Sequence, residues 1–172
     1  MIPKKILSYL EKENIKYEVI EHRKVYTALD SAQTQRIKPQ EIVKTMVMKI
    51  DNNYCLALLP ANKNICKDKF KKAVNVYFKK EKKQDPKIKL VKKVDFAKEV
   101  WMKKNLPGKI GATPAFGKLL KLLLFMDGSL FKLKKLILNT GEYTESFKIN
   151  TNQFIKLEEP VKASFSKPKN KK

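Results

Sequence analysis

Two runs rich in apolar and β-branched residues, Thr45–Ile50 and Tyr54–Leu59, flank the tripeptide Asp51-Asn52-Asn53. Asp and Asn between such runs predict a β-hairpin, because their short polar side chains tolerate the tight backbone of a turn. An isolated hairpin is barely stable in water, so further strands must surround it. Short apolar runs at Leu122–Met126, Lys135–Leu138 and Ser146–Ile149 supply them, the last two separated by a turn at Asn139–Gly141. Tyr17 and Val19 alternate as in one more strand.

Helical signals lie between these runs. Ile6, Leu7, Leu10 and Ile15 fall near helical spacing with Lys and Glu between them, predicting a surface helix over 3–14. A second helix is expected over Ala28–Arg36 with Thr27 as its cap, and Pro39 opens a short third. Lys67–Val74 is helical, residues 79–104 read as a short strand and a helix, and a last helix starts at Thr151. Strands of mixed order interleaved with helices indicate an α+β domain on an antiparallel or mixed sheet. The 172 residues fit one domain, and 42% apolar content rules out a chain disordered throughout. The domain is expected over 1–159. Residues 160–172, polar and basic with Pro160 and Pro168, read as a frayed tail.

Lys and Arg number 39 against 17 Asp and Glu, a net charge of +22. Such an excess favours a polyanionic partner, nucleic acid before an anionic membrane surface. Only Arg23 and Arg36 are Arg, and bidentate reading of guanine prefers Arg, so the composition suits backbone attraction over base-specific recognition. A lysine-rich coding bias explains the charge equally well. The pairs Lys79-Lys80, Lys82-Lys83, Lys92-Lys93 and Lys103-Lys104 make residues 79–104 the densest stretch.

Cys55 and Cys66 are the only cysteines and His22 the only histidine, with no CxxC pair, so no zinc site is expected. Two separate thiols suit a reducing cytosol. The start of the chain has no apolar signal segment, and Leu119–Met126, the most apolar stretch, is short and broken by Lys121. His22 is a candidate general base, but with no visible partner a structural histidine fits better. Cys66, near a helix start, reads as an incidental thiol. No Ser/His/Asp arrangement is present.

Three features remain as carriers of chemistry. Two of only five glycines bracket Gly111-Ala112-Thr113-Pro114-Ala115-Phe116-Gly117. Gly permits positive φ and Pro fixes φ, so a stiff loop of this kind can aim N–H groups at an oxyanion or phosphate; an ordinary connection has the same composition. Lys44 stands where a helix gives way to a strand and could point its ammonium into a cleft, although any one of 37 lysines is ordinarily solvated. Asp127-Gly128 and Asn139-Thr140-Gly141 end apolar runs, as cleft-lining groups or as plain turn residues. No phosphate-binding lysine loop or dinucleotide fingerprint is present.

The order of these pieces is more specific than any one of them. Glu21-His22, Val25-Tyr26-Thr27-Ala28, Glu41-Ile42-Val43-Lys44-Thr45, Leu56-Ala57-Leu58-Leu59-Pro60, the Gly111–Gly117 heptad, Phe125-Met126-Asp127 and Asn139-Thr140-Gly141 occur in sequence. Together they resemble the YbaK/prolyl-tRNA-synthetase-associated deacylase family over nearly the whole domain. The heptad is similar to the family's G-x-x-x-P-F-G loop and departs from it at Ala115, where Pro is usual.

The resemblance implies a single α+β domain around a mixed, barrel-like sheet, needing no metal or cofactor. It implies hydrolysis of mischarged tRNA, above all tRNA for proline bearing Ala or Cys. Lys44 would be the functionally required lysine. Thr45, the loop residues Gly111, Thr113, Pro114, Phe116 and Gly117, and Asp127 would line the pocket, with Asn139, Gly141, His22 and Tyr26 as further substrate contacts. Lys79, Lys80, Lys82, Lys83, Lys92 and Lys93 would attract the tRNA. The implied partner is mischarged tRNA, with an aminoacyl-tRNA synthetase as a second candidate; a monomer in the cytoplasm, away from membranes, is expected. An aminoacyl ester is already activated, so positioning and oxyanion stabilisation suffice and no triad is required. Two rivals stay open: a non-catalytic tRNA- or RNA-binding module on the same fold, and a generic basic protein.

Overall fold

The structure is a computed structural model that describes residues 1–169. In chain order its elements are α1 (Lys4–Lys12), β1 (Tyr17–Glu21), α2 (Ala28–Gln35), a 3-10 turn at Pro39–Glu41, β2 (Val43–Ile50), β3 (Asn53–Pro60) and β4 (Lys63–Ile65). There follow α3 (Lys67–Lys82), β5 (Val94–Phe96), α4 (Glu99–Asn105), the single turn α5 (Gly117–Leu120), β6 (Leu123–Asp127) and a 3-10 segment at Gly128–Lys132. The chain continues through β7 (Lys135–Asn139), β8 (Glu145–Asn150), α6 (Thr151–Glu158), β9 (Val161–Ala163) and β10 (Ser166–Pro168).

The predicted hairpin is the centre of the molecule. β2 and β3 pair antiparallel from Val43↔Pro60 to Ile50↔Asn53, leaving a two-residue turn with Asp51 at φ 53°. A left-handed residue there is what a tight hairpin demands, and Asp tolerates it better than most. The hairpin belongs to a mixed sheet of order β5-β2-β3-β6-β9, in which β3, β6 and β9 run parallel. A second sheet, β1-β8-β7, is wholly antiparallel. A parallel bridge between Ile42 and Ile137 joins the two sheets, giving the barrel-like α+β wrap.

Period-two alternation divides the apolar residues cleanly. Leu56 and Leu58 of β3 and Leu124 and Met126 of β6 face inward, where they meet Leu136, Leu138, Phe147 and Ile149 of the second sheet. Cys55, Ala57, Leu59 and Phe125 face outward beneath α3, whose Phe70 and Val74 are fully buried against them at i, i+4 spacing. Burying a side chain such as Phe70 contributes about 2–3 kcal/mol. Thr27 does cap α2, its hydroxyl accepting from the Asp30 N–H at 3.1 Å.

The expected frayed tail is corrected. Residues 161–163 pair with β6 as β9, and residues 166–168 pair with β4 as β10. Phe165 between them is fully buried against Phe70. Strand pairing and this one large buried ring together anchor the polar run. Residues 170–172 of that expected tail lie outside the described part. Among the described residues no helix is long and apolar enough to cross a membrane.

Candidate active site

A cleft of about 360 Å³ opens where the start of β2, the start of α2 and the loop before α5 meet. Lys44, Thr45, Gly111, Tyr26 and Asn139 all line it, so residues far apart in sequence come together here. Gly111 has φ +87°, and a Cβ on it would lie 2.7 Å from the Tyr26 carbonyl oxygen. Only glycine allows that approach, which fixes the loop against the segment leading into α2. The loop is pinned further: the Tyr143 hydroxyl donates to the Ile110 carbonyl at 2.6 Å, and the Ala112 N–H donates to the Lys109 carbonyl at 3.0 Å.

Lys44 leaves β2 on the same face as Met46 and Met48. Its Nζ donates to the Lys63 carbonyl at 3.1 Å and to Asn64 Oδ1 at 3.4 Å, both on β4. An ammonium carries three N–H donors, so one remains for a ligand. Burial lowers the Lys44 pKa from the ordinary lysine value, and the positive charge of Lys169 lowers it further. Beside it the Thr45 hydroxyl oxygen is buried with no hydrogen-bond partner. Buried polar atoms are nearly always paired, so an orphan hydroxyl in a cleft wall has capacity for a ligand. Tyr26, 57% exposed, stands at the mouth with its ring edge-on to Tyr143.

Several predicted residues lie elsewhere. Of the heptad, Gly111 alone lines the cleft; the rest is buried. Phe116 is a core residue surrounded by the rings of Tyr9, Phe147 and Phe154. Gly117 is required by packing, since a Cβ there would lie 2.7 Å from the Leu122 carbonyl oxygen. Thr113 and Pro114 are likewise buried and outside the cleft wall. Gly141 sits where two backbones touch: a Cβ on Gly108 would lie 2.5 Å from its Cα.

Asp127 is also outside the cleft wall. Its carboxylate accepts from the Ser129 hydroxyl and N–H and from the N–H groups of Phe165 and Ser166. Burial pushes its pKa up, but these hydrogen bonds together hold it below the usual carboxylate range. The expectation that Asp127 lines the pocket is therefore replaced by a clamp on the segment that carries β10.

His22 has both ring nitrogens occupied. Nδ1 lies 2.7 Å from the Arg23 carbonyl oxygen, which can only accept, so Nδ1 carries a proton; Nε2 lies 3.0 Å from Ser146 Oγ. It lines a small hollow beside the cleft, shared with Tyr26, Gly111 and Asn139. Cys55 is buried, its thiol pKa pushed up to about 12 by desolvation, while Cys66 precedes α3 without a side-chain capping bond. Among the described residues no three His, Cys, Asp or Glu side chains are grouped to hold a metal ion.

Sequence reasoning missed Met46, Ala61 and Lys169 in the cleft wall, and Asn64 as a Lys44 partner. Only the register of β4 and β10 brings Asn64 and Lys169 near, and three-residue polar strands carry no periodic signal. All six nominated lysines are exposed, but they separate: Lys79, Lys80, Lys82 and Lys83 lie at the C-terminal end of α3, Lys92 and Lys93 beside the hairpin turn.

The family model for the aminoacyl-tRNA editing domain matches residues 22–157. No curated protein sequence matches significantly. A solved structure described as a "putative trans-editing enzyme for prolyl tRNA synthetase" superposes with TM-score 0.76 at 17% identity, covering 95% of this chain and 96% of that one. The hypothetical protein APE2540 superposes equally well, TM-score 0.76 at 16% identity, over 95% of this chain and 99% of its own. At such identities the likeness concerns the fold.

Proposed function

Since the chain belongs to the aminoacyl-tRNA editing domain family, we propose that it is a deacylase whose cleft at Lys44 hydrolyses the ester of a mischarged tRNA. The observation that carries this reading is the meeting of Lys44, Thr45 and the positive-φ Gly111 in one cleft. The ester carbonyl sits between the Lys44 ammonium and the glycine turn. The free N–H of Lys44 stabilises the oxyanion that develops as the ester is attacked, in a site where burial strengthens the interaction. The Thr45 hydroxyl takes a polar group of the substrate, and Tyr26 offers an exposed ring for the terminal base. Selection by size at this pocket would favour a small aminoacyl group, Ala, Cys or Ser. The tRNA is that for proline, following the family resemblance.

The lysine excess over residues 79–104 supplies attraction for the phosphate backbone, which makes KM rise steeply with salt. A monomer acting in the cytoplasm, without a metal and with a synthetase as a candidate partner, completes the reading.

A panel of charged tRNAs tested with wild type and Lys44→Ala decides it. Hydrolysis of Ala-, Cys- or Ser-tRNA, little on Phe-tRNA, and loss in the variant are expected. Equal activity on Phe-tRNA, or normal turnover by a folded Lys44→Ala protein, overturns it. Absent hydrolysis with intact tRNA binding leaves a binding module on the same fold.

A further inference from the structure

Beyond the cleft, a larger groove of about 920 Å³ lies along the turn end of the β2–β3 hairpin. Six lysines line it, Lys49, Lys89, Lys92, Lys93, Lys98 and Lys104, and all are exposed. The two carboxylates in its wall are already engaged. Asp51 accepts the N–H groups of Lys92 and Lys93 at 2.8–3.2 Å, and Asp95 pairs with Lys67 at 2.9 Å. Six lysines against these two carboxylates leave the groove wall with an excess of positive charge.

Aromatic surface interleaves with the charge. Tyr54 and Trp101 stack face to face, with centroids 3.6 Å apart and planes within 9°. Phe96 on the edge strand β5 is 42% exposed, an unusual position for a large apolar ring, and Val100 beside it is 79% exposed. Lys67 Nζ sits 4.7 Å from the Phe96 ring centroid. Phe96 lines this groove and also the hollow of about 510 Å³ whose wall contains Lys44 and Met46. Those two residues in turn line the cleft of the proposed function. The three depressions thus adjoin in a row, from the predicted ester site past Phe96 to the lysine groove.

We infer that this groove holds a single-stranded segment of RNA, with Phe96 as a stacking platform and the lysines on successive phosphates. A basic track with exposed aromatic faces is the common means of holding single strands without reading sequence. Lys rather than Arg suits such backbone tracking. The inference rests on the proposed function in taking RNA as the polyanion, and it assigns the strand a path on the protein.

The test uses an uncharged, fluorescently labelled RNA hairpin with a single-stranded 3′ tail, and the same hairpin without the tail. The triple variant Lys92→Gln/Lys98→Gln/Lys104→Gln is expected to weaken binding at least tenfold at low salt and to reduce the salt slope by about 2–3. Replacing Lys4, Lys5 and Lys12 with Gln, on α1 and outside the groove wall, is expected to weaken it less than about threefold. Phe96→Ala is expected to lose about tenfold on the tailed RNA only, with Phe96→Tyr restoring it. Thermal melts confirm that each variant is folded. Equal losses from the two lysine triples, equal losses from Phe96→Ala on both RNAs, or tighter binding to phosphatidylserine vesicles than to RNA overturns the groove. Because the RNA carries no amino acid, failure to deacylate with this pattern intact removes the proposed function and keeps the groove. Deacylation without the pattern does the reverse.

Discussion

Lys44 near the start of β2 and Asp127 at the end of β6 are polar residues near strand ends of one sheet, the first half-buried and the second buried. Around Lys44 hydrogen-bonding capacity is left over: one N–H of its ammonium, and the whole Thr45 hydroxyl. Around Asp127 the chain itself takes up four donors, two of them backbone N–H groups from the segment leading into β10. What separates the proposed catalytic position from a supporting one is unused hydrogen-bonding capacity, and residue type or place on the strand does not reveal it. The supporting region also serves the other. Asp127 fixes Phe165 and Ser166, β10 pairs with β4, and β4 supplies the carbonyl of Lys63 that holds Lys44.

The contrast breaks first at Lys44. Lys44→Ala should lower kcat on mischarged tRNA by about 10²–10³, on the order of 3–4 kcal/mol, with a melting temperature close to wild type. Asp127→Ala should act on stability. Two buried N–H groups lose their acceptor, a cost of about 2–4 kcal/mol, seen as a drop of about 5–15 °C in Tm. The sign with pH follows from its depressed pKa. The carboxylate contributes fully above the unfolded value of about 3.9, and the contribution is lost as pH falls through the lower folded value. The stability gap between wild type and Asp127→Asn should therefore be widest above about pH 4 and close as the pH falls below it.

Thr45→Val is a finer probe. Removing a hydroxyl with no internal partner should leave Tm unchanged or raised, while kcat/KM falls about 2–10-fold for the loss of one hydrogen bond. A lowered Tm would mean that the hydroxyl has a structural role after all. The smallest effect is electrostatic. Lys44 titrates below an ordinary lysine, so kcat, corrected for spontaneous ester hydrolysis, should fall on the alkaline side earlier than a solvated lysine predicts. Lys169→Gln removes a like charge and should move that alkaline limb to higher pH.

The comparison also marks what the sequence could disclose. Periodicity locates the hairpin, β6, β7, β8 and the faces of α1 and α3, because each buries apolar residues that repeat at 2 or 3.6; β1 falls where Tyr17 and Val19 alternate, although Val19 is 40% exposed. Gly111 and Lys44 stand out through glycine scarcity, junction position and ordered motifs, and they do meet in one cleft. Phe116 and Gly117 read the same way as Gly111, yet they pack inward, since a loop pattern does not say which residues turn to solvent. β4, β9 and β10 are too short for any period, and their pairing is decided by distant partners. The burial of Phe165 is the one local hint, a lone large ring in a polar run.

The pairing of β10 with β4 carries a consequence for how the protein is made. The strand that pairs with β4, and so steadies the hold on Lys44, emerges from the ribosome about 120 residues after the lysine does. Until then β4 presents a bare edge, and the ammonium has its hairpin but not its brace. Contacts so distant along the chain close late and slowly, so a nascent polypeptide would hold the ingredients of the cleft well before it could hydrolyse anything.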